Sequence, residues 1–174
     1  MPFSNSPTRQ IEAGDTPGFN DDQISRPMAA QNILKGKASV QVAGIITIAT
    51  TANAIGNAPF VPVRSVDNSA GSPGDLETRG VGPNQPVALK LTTGPIQPGT
   101  YVQIGATDGE VIAWTKANNG LRYARYIGKE AGVWSQSGST PFDQDLSTGV
   151  IPDQPLASGE VGWFFLIDAE VVDA

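Results

Sequence analysis

The chain has 174 residues, room for one domain with an arm, and it contains neither cysteine nor histidine. That excludes a disulfide framework, a thiolate metal site, a Ser-His-Asp triad and the commonest general base. Net charge is −6, charged residues are 16% and apolar residues 39%, while 20 glycines and 14 prolines favour short strands joined by tight turns.

The charge is unevenly spread. From Glu130 onward there are eight acids and no lysine or arginine. An acidic pole of this kind repels phosphate backbones, so direct nucleic-acid binding is not expected, and docking on a basic partner is more natural. No apolar run has the length of a membrane span. Met1-Pro2-Phe3-Ser4-Asn5 lacks the basic and apolar regions of a signal peptide, so synthesis in a cytoplasm is expected.

Residues 1–38 read as an extended arm. Pro2, Pro7, Pro17 and Pro27 recur, and the apolar residues Phe3, Ile11, Phe19 and Ile24 stand isolated. Such a segment cannot bury enough surface to offset its own ordering entropy. The arm is expected to lie on a neighbouring subunit with those four residues as anchors; folding back over its own domain is the alternative. One short helix fits Ser25 to Gly36, with Pro27 in its first turn, Lys35 in its last and Gly36 as a left-handed stop.

Residues 39–174 read as a compact β domain. Val40-Gln41-Val42 and Ile45-Ile46-Thr47-Ile48 form two strands about Gly44. Phe60 to Val66 is a strand that Pro62 confines to a sheet edge or a bulge. Residues 67–85 have loop composition and suggest contact with another subunit. Val87, Leu89 and Leu91 alternate with Ala88, Lys90 and Thr92. After a turn at Pro95–Gly99, the run Tyr101–Gly105, the Asp108-Gly109 turn, Val111–Trp114, the Asn118-Asn119-Gly120 turn and Leu121–Gly128 predict a β-meander. Residues 134–157 read as a second loop.

The last apolar stretch, Gly159 to Asp168, has a strand's period of two. Val161, Trp163, Phe165 and Ile167 form one face, and burying them contributes roughly 6–12 kcal/mol before entropy. Phe164 and Leu166 on the other face are covered either by the same chain or by another copy. The predicted fold is mainly β, a small barrel or sandwich with an N-terminal arm and at most one short helix.

The search for chemistry finds no catalytic, metal or cofactor residues to assign. Asp143, Asp145 and Asp153 offer oxygens to calcium but lack the glycine of a binding loop, so solvated acids are the better reading. Asp108 and Glu110 lie at a predicted hairpin tip, where nothing would desolvate them for acid/base work, so a turn role is the better reading. Arg122, Tyr123, Arg125, Tyr126 and Lys129 interleave bases with aromatics. Strand alternation puts Tyr123 and Arg125 on one face and Arg122 and Tyr126 on the other, which breaks any platform. Cross-strand packing and ion pairs, including pairs with the acidic pole of a neighbouring copy, are expected instead. Arg122, Arg125, Tyr126 and Trp134 are therefore the inter-subunit candidates. Trp114 or Trp134 would stack on a sugar ring if the chain were a carbohydrate-binding module.

Five segments carry a family resemblance: Val87-Ala88-Leu89, Pro98-Gly99-Thr100-Tyr101-Val102, Asp108-Gly109-Glu110-Val111, Tyr126-Ile127-Gly128-Lys129-Glu130-Ala131 and Ser158-Gly159-Glu160-Val161-Gly162-Trp163. This order resembles the capsid decoration (cement) proteins of tailed bacteriophages. The resemblance implies a non-enzymatic virion protein, without cofactor, on the outside of an icosahedral head. It would clamp adjacent major capsid proteins against packaged DNA, as a homo-oligomer with a trimer favoured.

Overall fold

The closing stretch of the chain is a barrel strand, and its inner face is the one with the glycine. The computed structural model describes residues 12–16, 23–115, 121–128 and 155–167. In chain order the strands are β1 Ile24–Pro27, β2 Asn32–Ile33, β3 Ser39–Val42, β4 Ile45–Ile48, β5 Ala58–Pro62, β6 Val66–Asp67, β7 Glu77–Val81, β8 Pro86–Thr93, β9 Tyr101–Ile104, β10 Val111–Ala113, β11 Ala124–Gly128 and β12 Val161–Leu166. There is no helix among the described residues.

Strands β8 to β12 close a barrel in the order β10-β8-β12-β11-β9. The β10–β8 pair is parallel and the others are antiparallel. Alternation sends Val87, Leu89, Leu91, Val102, Ile104, Val111, Ala124, Tyr126, Phe164 and Leu166 into one core. Gly162 belongs to the same inward set; a Cβ there would run into the Tyr126 ring and Leu156. The absent side chain lets Tyr126 enter the barrel and lie 5.2 Å, centroid to centroid, from Phe164. Phe164 and Leu166 are thus covered by their own chain. On the opposite face, Trp163 is buried on the outer side of the barrel, whereas Phe165 is 38% exposed.

The other strands form a five-stranded antiparallel sheet in the order β1-β7-β5-β3-β4, with a small β2–β6 pair beside it. A bridge from Met28 to Ile46 brings the two ends of the large sheet together. Met28, Ile33, Ile46 and Phe60 fill this curled sheet as a second core. Ala38, Val40, Val61 and Val81 pack with the barrel residues, so sheet and barrel share one apolar interior.

Four expectations are corrected. The helix from Ser25 to Gly36 is absent: Ile24–Pro27 pairs with β7, and Asn32–Ile33 pairs with β6. A helix that short gains little without tertiary support, and Pro27 is tolerated at the end of an edge strand. Pro62 does not put its strand at an edge. β5 lies between β7 and β3, with Pro62 as its last residue. Residues 67–85 are not simply a loop, since β7 inside them is a central strand. Residues 68–76 are held by bonds from Gly74 N to Met28 O, from Met28 N to Leu76 O and from the Asn68 side-chain amide to the Ala29 and Ser72 carbonyls. Finally, β9, β10 and β11 are not a meander, because β11 pairs with β9 and β12.

Candidate interaction surface on the barrel

Antiparallel register places Tyr101 of β9 opposite Arg125 of β11, and Arg125 opposite Phe165 of β12. These three side chains form a row across the outer barrel wall, next to Ile127, which is 42% exposed. Arg122 lies just before β11. Its guanidinium carbon is 4.3 Å from the Tyr101 ring centroid and 4.9 Å from that of Trp114. Trp114 is fixed in turn by its backbone N–H, which donates to the Tyr101 carbonyl at 3.0 Å. Arg125 approaches the same tyrosine at 5.9 Å, and its Nε donates to Gly99 O at 3.2 Å. Both arginines lie within the range of attraction to an aromatic face.

This arrangement corrects the expected split. Residues 121–123 are not part of β11, and the Tyr123 N–H bonds to Val102 O. Strict alternation therefore does not extend back to Arg122, and both guanidiniums reach one ring. Tyr126 is corrected as well: it is 1% exposed, inside the barrel, and not a surface residue. Burial, followed by the Glu160 carboxylate, pushes its phenol above the ordinary range. Neither Arg122 nor Arg125 has an ion pair among the described residues. The Arg122 Nε is buried without a hydrogen-bond partner there. Rigid Tyr, Trp and Arg beside exposed Phe and Ile have the composition of a protein-binding hot spot.

Residues 12–16 lie on their own chain. Gly14 N donates to Ala88 O at 2.7 Å, and Ala88 N donates to Asp15 O at 2.8 Å, along the part of β8 not paired with β10. Lys35 Nζ holds Asp15 Oδ1 at 2.8 Å and Glu12 Oε2 at 3.4 Å. Ile24 packs against the second core of its own chain, partly buried. The remaining sequence candidates, Phe3, Ile11, Phe19, Trp134, Lys129, Asp143, Asp145 and Asp153, lie outside the described residues. Among the described residues no group of three or more acids could hold a metal ion. The sequence did contain the signal for the cluster: Tyr101 and Trp114 flank one hairpin, and two arginines follow it. The partnership of Trp114 with Arg122 needed the barrel register to become visible.

No protein-family model matches the chain, and no curated protein matches it.

Proposed function

We propose that this chain is a non-catalytic decoration protein of a phage head, bound to the outer capsid surface and cementing adjacent major capsid proteins. One observation carries the reading. Among the described residues, the five segments that resemble cement proteins fall on the five strands of the closed barrel or the turns leading into them, with residues 129–131 of the fourth segment outside those described. The barrel is filled by its own side chains, which leaves the part of its outer wall around Phe165 and Ile127 for contact. Glu12–Asp15, fixed on β8, would be the root from which Phe3 and Ile11 reach neighbours. Many weak contacts across subunit seams would sum to a strong clamp, more so in a homo-oligomer such as a trimer. The protein would be made in the host cytoplasm and reside on the virion exterior. The carbohydrate-binding alternative gains nothing from Trp114, since Arg122 already lies over that ring.

The test is a variant lacking residues 1–11, with head occupancy and release of packaged DNA on heating as readouts. Reduced occupancy and release at a lower temperature are expected. Binding of the full chain to no empty head, or unchanged behaviour of the variant, overturns the reading.

A further inference from the structure

The five barrel strands, Pro86–Thr93, Tyr101–Ile104, Val111–Ala113, Ala124–Gly128 and Val161–Leu166, contain no aspartate or glutamate. They do contain Lys90 and Arg125, in a chain of net charge −6. Arg122 adds a second guanidinium to the same wall. Its plane is held by Tyr101 and Trp114, and among the described residues no carboxylate pairs with it. The Arg125 Nε is tied to a backbone carbonyl, which fixes that side chain too. Two pre-positioned guanidiniums lose little rotamer freedom when an anion arrives, and each fork fits a carboxylate in bidentate fashion. Phe165 and Ile127 border them with exposed apolar surface.

We infer that the wall formed by Tyr101, Trp114, Arg122, Arg125, Ile127 and Phe165 is a docking surface for an acidic polypeptide segment that also carries an apolar side chain. The carboxylates pair with the two arginines, and the apolar side chain lies on Phe165 and Ile127. The inference rests on the proposed binding role and deepens it by naming the face and the chemistry of its partner. Charge complementarity selects the occupant. The wall is cationic on an anionic protein, and it ends in apolar residues that a protein segment covers and a phosphate chain does not. A nucleic acid would need a longer basic track than two arginines and one lysine, and would meet the repulsion of the remaining surface.

The experiment uses the full chain and a fluorescein-labelled peptide with glutamates on both sides of one phenylalanine. A twin peptide with lysines for glutamates, a sulfated oligosaccharide and single-stranded DNA are the comparisons. The acidic peptide is expected to bind, with affinity falling as salt rises, and the lysine twin not to bind. Arg122→Gln with Arg125→Gln should weaken binding roughly tenfold or more, and Phe165→Ala, which leaves the charges intact, should weaken it separately. Thermal melting confirms that each variant is folded; if the double arginine variant does not fold, Phe165→Ala and Arg125→Gln alone decide. Absence of peptide binding, binding indifferent to these substitutions, or tighter binding of oligosaccharide or DNA overturns the inference. Head occupancy is measured on the same variants. Peptide binding without head binding removes the capsid reading and supports the surface, whereas head binding indifferent to both substitutions removes the surface and supports the capsid reading.

Discussion

The Tyr123 hydroxyl meets both backbone polar groups of Ser39: it accepts from the N–H at 3.1 Å and lies 2.8 Å from the carbonyl oxygen. The Phe60 carbonyl, 3.0 Å away, competes for the same single proton. Ser39 and Phe60 are register partners of β3 and β5, while Tyr123 leads into barrel strand β11. One buried hydroxyl thus ties the sheet to the barrel. Burial pushes the phenol well above its ordinary range, so it stays a donor at any working pH. Tyr123→Phe removes the hydroxyl but leaves the ring, so the Ser39 N–H loses a partner in a site closed to water. The expected loss is about 1–3 kcal/mol. It should appear as a lower urea midpoint with an unchanged slope. A loss below about 0.5 kcal/mol would mean that water or another group replaces the hydroxyl.

The tether of residues 12–16 has a pH signature. Lys35 has its pKa raised above 10.5, first by its hydrogen bond to Asp15, against a smaller opposing effect of burial. A raised lysine contributes stability that is fully present below its unfolded pKa and is lost as pH rises through the folded value. The gain is therefore complete at neutral pH and fades above 10.5. Because the pair is partly solvated, the contribution should be at most about 1 kcal/mol. Urea midpoints of wild type and Lys35→Met, measured from neutral pH to pH values above this point, should converge at the alkaline end. A constant gap would show that the lysine stem, not its charge, fastens the segment. At neutral pH the same variant should also exchange the Gly14 amide faster while leaving barrel amides unchanged.

Gly162→Ala tests why the inward face of β12 carries a glycine. The new methyl would meet the Tyr126 ring and Leu156, so overpacking should cost about 1–3 kcal/mol. Gly159→Ala is the control, since a Cβ there meets nothing within 4 Å and only the positive φ of 83° opposes it. If Tyr126 is the obstacle, Gly162→Ala combined with Tyr126→Leu should cost less than the sum of the single variants. Strict additivity would remove Tyr126 from the account.

These sites show what the sequence could and could not convey. The strands of the barrel were legible because β8 and β12 alternate apolar residues over six or more positions, and the Asp108-Gly109 turn marked the hairpin between β9 and β10. Which face of β12 points inward was not legible. Val161, Trp163 and Phe165 outweigh Gly162, Phe164 and Leu166 in apolar area, yet closure of the barrel selects the face whose glycine admits Tyr126. Glu77–Val81 was invisible for a similar reason. Its sequence, Glu-Thr-Arg-Gly-Val, has little strand propensity, and Gly80 is there because the Phe60 ring occupies the space of a side chain. The arginine–aromatic wall was half legible. The residue types stood together in the sequence, but their sharing of one ring depends on β11 beginning only at Ala124.

Thr78, next to Gly80's neighbour Arg79 on β7, is fully buried, and its Oγ1 has no hydrogen-bond partner among the described residues. A hydroxyl taken out of water without a partner is a cost that folding has to absorb. Valine has nearly the same shape and the same preference for strands, and since nothing is bonded to the hydroxyl, its removal strands no other group. Thr78→Val is therefore expected to leave stability unchanged or raise it, by up to about 1 kcal/mol. Thermal and urea unfolding of the variant decide the matter. A clear loss of stability would show that the Thr78 hydroxyl is satisfied in solution, by a bound water or by a residue outside those described, and that β7 is held by one more polar contact than its described neighbours provide.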